Sequence, residues 1–474
     1  MRTLCGLLSA AFLLGVGSST SWGKDGKQGG DWTRFGYNAA RSSSGPPATG
    51  ITAANVRNLK RQRVSLDGTV DSSPIYLRAA SVNGQRHDVF FVTTSYGKTL
   101  AIDAANGRVL WRFTPPGYSS WAGSAMITQS TPVADPNRRW IYAVAPNGRI
   151  HKLSVARGRE ASGWPVIVTR DPGHEKIAPA LNLAGGVVLV ATGGYIGDAP
   201  PYQGHVVTIS AATGKIVNVW NSLCSDRGGL LEPSSCAASG SAIWGRAGVV
   251  VDPKTGNLLV ATGNGRFDGK RFWGDSALML SPRAASLLQS WTPSDQKALE
   301  SGDVDLGSTS PALLGSGLAV QGGKDAKLRL LDLRKLNGHG GTGSTGGELQ
   351  TVDIGDGLFS APAVWRSRGQ TWVFVSTFSG TRAFQLSGRR LRLAWSRGAG
   401  GTSPVVAGGL LYLYDPNGRL GVYRPSTGAL VTTLAAGSGH WNSPIVTDGR
   451  IALPEGSSND HSLSGVLDIY RLGR

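Results

Sequence analysis

The feature that most constrains this chain is a short phrase that returns along its length. Ser73-Pro74-Ile75, Thr131-Pro132-Val133, Ala178-Pro179-Ala180, Ser310-Pro311-Ala312, Ala361-Pro362-Ala363, Ser403-Pro404-Val405 and Ser443-Pro444-Ile445 each set a small residue and a proline ahead of a β-type run. Ser241-Ala242-Ile243 is an eighth copy without the proline. The copies start roughly 40 to 70 residues apart, the period of a propeller blade with variable loops. One four-stranded sheet cannot cover both of its faces, so blades stack around an axis and close a ring. Val89–Val92, Val187–Val190, Leu258–Val260, Trp372–Val375 and Leu410–Leu413 are apolar runs punctuated by glycine turns, and no long stretch has helical period. The expected fold class is all-β, an eight-bladed β-propeller with four-stranded blades.

A second phrase ends several blades. Ala101–Gly107 leads to Trp111, Thr208–Gly214 leads to Trp220, and Val422–Gly428 is a looser copy. Each has a tight turn closed by glycine. The tryptophans are expected to pack between neighbouring blades. Asn55–Leu66 is expected to supply the strand that closes the last blade, and Asn337–Gly347 to be a loop within the propeller.

Residues 1–23 read as a secretory signal: Arg2 precedes an apolar stretch from Leu4 to about Val16, with small residues following. The expected mature unit is one propeller domain over 24–474, periplasmic or secreted, and a monomer. No run is long and apolar enough for a membrane span. Cleavage removes Cys5 and leaves Cys224 and Cys236, which are expected to pair in an oxidising compartment. There is no Cys-x-x-Cys-His, so no haem is expected. The formal net charge is +18, but Lys and Arg are spread along the chain. That spread argues for a basic solvated surface and against specific nucleic-acid binding, while an anionic lipid or polysaccharide stays open. Gly97-Lys98-Thr99 lacks the first glycine of a phosphate loop, and the histidines lack metal-ligand spacing.

The stretch Gly256–Gly269 is the sharpest local feature. A strand, Leu258–Thr262, runs into Gly263-Asn264-Gly265 and then Asp268. Ordinary turn chemistry explains this, and so does a carboxamide ligand for a hard cation.

The paired phrases resemble the quinoprotein-like propeller repeat over nearly the whole mature chain. That family includes pyrroloquinoline quinone (PQQ) dehydrogenases and a non-enzymatic propeller lipoprotein that helps assemble outer-membrane proteins. The resemblance implies a calcium ligand at Asn264, after the Asp252-Pro253 turn. It implies a catalytic Asp303 within Gly302–Gly307, and a quinone-contacting Lys324 ahead of Leu328–Asp332. Trp244 corresponds to the quinone-stacking tryptophan, with an offset of two residues that puts Arg246 at the family's spacing. The glycine-rich segment Gly193–Tyr202 has no Glu for calcium, and Asp198 is the substitute. The family's adjacent cysteines are missing. The implied cofactors are PQQ and calcium, with an alcohol or sugar substrate and an electron acceptor. The alternative is a non-catalytic scaffold for an envelope protein or polysaccharide.

Overall fold

The computed structural model describes residues 30–473. The expected signal segment lies outside the described residues. Eight four-stranded antiparallel sheets follow one another along the chain, their strands pairing in sequence order except at the closure of the last and in the third, where Val187–Ala191 pairs with His205–Ser210 past the short strand Gly193–Gly194. The innermost strands of the first and last blades are Ile75–Val82 and Ile445–Thr447. The expected closure is present. Leu59–Leu66 is the outermost strand of the eighth blade and pairs with Gly465–Leu472, in register from Leu59 opposite Leu472 to Leu66 opposite Gly465. Arg61 on this strand bridges Glu455 and Asp468, joining the closing strand to the rest of the eighth blade by charge as well as by ladder.

The apolar cores lie between blades, because each sheet has two faces to cover. Ile75, Val89 and Phe91 of the first blade pack with Ile141 and Val155 of the second. Trp111 lies in the same cluster and donates its indole N–H to the Val155 carbonyl at 2.9 Å. Trp395 repeats the contact at a later blade boundary, to the Pro425 carbonyl. A buried indole brings a large apolar area and needs one acceptor, and the neighbouring blade provides both.

Six of the eight phrases enter the innermost strand two residues after they start. The third and fourth do not. Their strands begin at Asn182 and Val250. The intervening residues bond across loops instead: Ile243 N–H to the Thr192 carbonyl at 2.9 Å and Ala180 N–H to the Arg246 carbonyl at 3.1 Å. There the phrase marks arrival at the axis, not the first residue of the strand.

Residues 30–50 form a strap that sequence periodicity does not reveal. Its backbone exchanges hydrogen bonds with Tyr76, Ala134, Val251, Val364, Val406 and Gly449. Its Arg34 side chain bonds Asn182 and the Leu183 carbonyl. Seven blades are thereby touched, all but the fifth. Phe35 of the strap packs in one buried cluster with Ala180, Ala247 and Ala361.

Candidate functional site

Glycines build the first wall. Gly263 and Gly265 both keep φ out of the left-handed region, so neither is needed for turn geometry. They are needed for approach. A Cβ on Gly263 would lie 2.0 Å from Asp305 Oδ1, and one on Gly265 would lie 2.6 Å from the Ser241 nitrogen. The plain-turn reading of Gly-Asn-Gly therefore gives way to close packing around a carboxylate.

Asp303 and Asp305 follow a six-residue helix, Gln296–Ser301, and precede the innermost strand of the fifth blade. Asp305 is nearly buried; it accepts the Asn264 backbone N–H at 2.7 Å and holds Lys324 Nζ at 2.6 Å. Asp303 is 71% exposed at its side chain and accepts Asn264 Nδ2 at 2.6 Å and Lys324 Nζ at 3.3 Å. Asn264 Oδ1 is buried without a partner. Burial lowers the Lys324 pKa, but the Asp305 and Asp303 carboxylates outweigh it and raise the net value, so the amine stays charged. Lys324 Nζ also sits 5.9 Å from the Trp244 ring centroid.

These groups line a cavity of about 600 Å³, together with Asp198, Tyr202, Arg246, Lys176, Gln129, Phe359, His440 and Trp441. Asn264, Asp303, Lys324, Trp244 and Asp198, all singled out in the sequence, share this cavity. Trp244 and Arg246, the two residues separated by the offset, both line the cavity. Asp198 accepts Tyr202 Oη at 2.9 Å. Its pKa is raised by burial and by the charges of Asp305 and Asp303, against the pull of the Tyr202 hydrogen bond. Beside it, Ile196 presents an 83% exposed side chain at the rim. An aromatic wall completes the mouth: Trp244 to Phe359 is 6.1 Å between centroids, and Phe359 stacks on Trp441 at 5.8 Å.

Several lining residues escaped the motif reading. Gln129, Lys176, Phe359 and Trp441 each lie two residues before the start of a phrase. Asp71 has the same register and lies just behind, bonded to His440, Gln129 and Ser458. Position two before the phrase was the available signal in these copies, whereas Ser239, Ser308 and Gly401 at the same offset do not line the cavity. Among the described residues, no group of three His, Cys, Asp or Glu side chains is arranged to hold a metal ion. Cys224 and Cys236 are joined in a disulfide.

Comparison with known proteins agrees with this architecture. Residues 78–222 match the family profile described as outer membrane protein assembly factor BamB. Over 260 residues the chain is 26% identical to the quinohemoprotein alcohol dehydrogenase ADH IIB of Pseudomonas putida, a match covering 50% of this chain and 34% of that protein. The chain thus spans about a third of that relative's length. Among solved structures, the quinohemoprotein alcohol dehydrogenase from Comamonas testosteroni superposes with a TM-score of 0.68 at 16% identity, covering 94% of this chain and 80% of that one. BamB from Moraxella catarrhalis superposes with a TM-score of 0.52 at 13% identity, covering 87% and 98%. The resemblance to quinoprotein-like propellers is thus shown, as is the eight-bladed fold.

Proposed function

We propose that this chain is an exported quinoprotein-like propeller that binds PQQ in the axial cavity and uses it to oxidise an alcohol or a sugar. The observation that carries this reading is the contact of Asn264 with Asp303 at 2.6 Å, with Lys324 bonded to the same carboxylate. Three residues from separate loops meet at one point of a cavity whose volume suits a small molecule. The aromatic wall fits a flat ring, and the cations fit an acidic one.

When bound, the quinone supplies an acceptor for two electrons, which an external electron acceptor then removes. Asp303 is exposed to the cavity and is placed to take the proton of a substrate hydroxyl. Lys324 stays cationic between two carboxylates and is placed to steady negative charge on a ligand oxygen. Trp244, beneath the Lys324 amine, offers a flat face for stacking.

Calcium fits only in part. The unpartnered Asn264 Oδ1 is a suitable donor. However, Asp303 and Asp305 are engaged by Lys324, Asp198 by Tyr202, and the rim beside Asp198 carries Ile196. Calcium takes six to eight oxygen ligands, and this set is incomplete. No step here runs through the metal.

Calorimetric titration of PQQ, with and without calcium, tests the reading. Binding that is weakened by Asn264→Ala and accompanied by dye-linked alcohol oxidation abolished by Asp303→Ala supports it. Absence of PQQ binding sinks it and leaves the second reading, a non-catalytic scaffold for an envelope protein or polysaccharide. The BamB profile match and the lack of adjacent cysteines favour that reading.

A further inference from the structure

The core between the sixth and seventh blades has a gap. The residue just before the blade-ending phrase is Leu100 in the first blade and Val207 in the third, and both are fully buried. Leu100 packs with Leu453 and Leu467 of the preceding blade in the ring, and Val207 with Tyr142 and Ile150 of its own. In the seventh blade the same position is Gly421. Its strand, Arg419–Tyr423, sets Arg419, Gly421 and Tyr423 on one face by the two-residue period. Asp415 stands opposite Arg419 on the neighbouring strand. A Cβ on Gly421 would lie 2.6 Å from the Tyr423 ring, so the missing side chain lets that ring lie back along the strand.

The result is a pocket of about 450 Å³, within the range of small-molecule sites. Its other wall comes from the sixth blade, through Phe378 and the glycine-rich segment 398–400. Phe378 packs on Phe359 at 5.8 Å and on Trp441 at 5.7 Å, yet remains 55% exposed. A smaller depression of about 310 Å³ shares Phe378, Asp415 and Asn417 with the pocket and reaches His440, which also lines the axial cavity.

The polar groups here hold one another in place. Asp415 Oδ2 accepts Arg419 Nη2 at 3.0 Å and Nε at 3.2 Å, and Oδ1 accepts the Asn417 N–H and Nδ2 at 2.9 Å each. Carboxylate and guanidinium cancel, so the pocket offers no net charge to an ion. Arg419 stays 67% exposed at its side chain, with the Nη1 donors left for a ligand. A purely apolar ligand would strand this pair without water. The lining therefore suits a neutral molecule that has a flat apolar face and a rim of hydroxyls.

We propose that the pocket between the sixth and seventh blades binds a neutral saccharide, with one sugar ring lying on Phe378 and its hydroxyls bonded to Asp415, Arg419 and Asn417. The C–H face of the ring covers the exposed aromatic, and adjacent hydroxyls meet the planar carboxylate and guanidinium, which accept and donate side by side. The space left by Gly421 admits the ring edge between the blades. This site contains none of Asn264, Asp303 and Lys324 and needs no redox step, so it stands apart from the quinone reading.

NMR titration with maltotriose, cellotriose and mannotriose tests it, with trigalacturonate as the acidic counterpart. At least one neutral trisaccharide should bind, and more tightly than trigalacturonate. Gly398→Phe fills the pocket: Gly398 keeps φ out of the left-handed region, and a Cβ there meets no atom within 4 Å. That variant should melt like the wild type and weaken the sugar by at least about tenfold. Phe378→Ala and Asp415→Ala should each weaken it by about tenfold, the size of a lost aromatic contact or of a hydrogen bond to a charged group, while Lys98→Met should not. Should Gly398→Phe fail to fold, Phe378→Ala carries the same test at an exposed side chain. No binding of any neutral trisaccharide overturns the proposal, as does tighter binding of trigalacturonate or unchanged affinity in the folded variants. The two readings fail separately. A sugar lost with Asp303→Ala but kept in Gly398→Phe sits in the axial cavity and ends this proposal alone. A sugar lost in Gly398→Phe, in a protein that binds no PQQ, ends the quinone reading alone.

Discussion

The Asp305 carboxylate occupies the space that a side chain on Gly263 would need, 2.0 Å from where its Cβ would be. From there Asp305 caps the Asn264 N–H and holds Lys324, so one close approach organises both loops of the site. Gly263→Ala should displace the carboxylate and cost about 1–3 kcal/mol, the usual range for overpacking a tight interior. Thermal unfolding reads the loss, and ligand titration should weaken alongside. A variant that melts and binds like the wild type would mean that Asp305 is free to move.

Asp275 lies behind this arrangement, fully buried, accepting the Leu306 N–H at 3.1 Å. Burial, with the charges of Asp305 and Glu300, pushes its pKa up to about 8, against hydrogen bonds from Leu306 and Gln296. A carboxyl whose folded pKa is raised favours the fold while protonated. That contribution is complete below about pH 4 and is lost as pH rises through about 8. Asp275→Asn removes the penalty of ionising the group. The variant should match the wild type near pH 4 and melt above it at pH 9. The gain is a few kcal/mol at most, since each tenfold change in proton affinity is worth about 1.4 kcal/mol. Melting curves across pH 4–9 check this, and parallel curves would contradict it.

The Cys224–Cys236 bond closes a loop with a sequence separation of 12 beyond the outer strand of the third blade. So short a loop gives an entropic stabilisation of about 3 kcal/mol at most. Thiol titration of the unfolded, unreduced protein should find no free thiol from this pair. The double Cys224→Ser, Cys236→Ser variant should stay folded with a lower melting temperature, since the propeller core lies between blades and not in this loop. Two reactive thiols in the untreated protein would refute the pairing.

The sequence disclosed the ring because each blade repeats the same burial problem, and a repeated problem leaves a repeated phrase. It disclosed the Asn264–Asp303–Lys324 cluster only through the resemblance, since each residue alone is ordinary loop chemistry. Lys176 and Arg246 carried no motif at all. Their place in the cavity rests on contacts with Gln129 and the Asp71 carbonyl, which lie far away in the chain. The delayed strand at Val250 was hidden for a related reason. The missing proline at Ser241-Ala242-Ile243 marked the one blade whose entry carries Trp244 and Arg246 into the cavity, yet by pattern alone it was just a weak copy. The strap over residues 30–50 has no periodicity because it meets a different blade every few residues.

That strap gives the last prediction. Arg41 is 2% exposed and donates to the carbonyls of Phe35 at 2.7 Å, Leu181 at 2.8 Å and Ala180 at 3.2 Å. Phe35 belongs to the strap, while Ala180 and Leu181 belong to the entry of the third blade, four residues from Lys176 at the nearest. One guanidinium therefore pins the strap against the loop that carries the cavity floor. Burial, followed by the nearby Arg34 charge, lowers its pKa well below the usual value, which marks a group kept for its hydrogen bonds at electrostatic cost. Arg41→Met keeps the length and apolar stem but strands three buried carbonyls, at about 1–3 kcal/mol for each group left unsatisfied. The expected result is a lower melting temperature and faster proteolysis between residues 30 and 50. The ring should survive, because its closure rests on Leu59–Leu66 paired with Gly465–Leu472. Limited proteolysis with mass spectrometry distinguishes the outcomes: first cuts within the strap agree with the argument, whereas unchanged cleavage would show that the backbone bonds to six blades and the Arg34 contacts with the third hold it without Arg41.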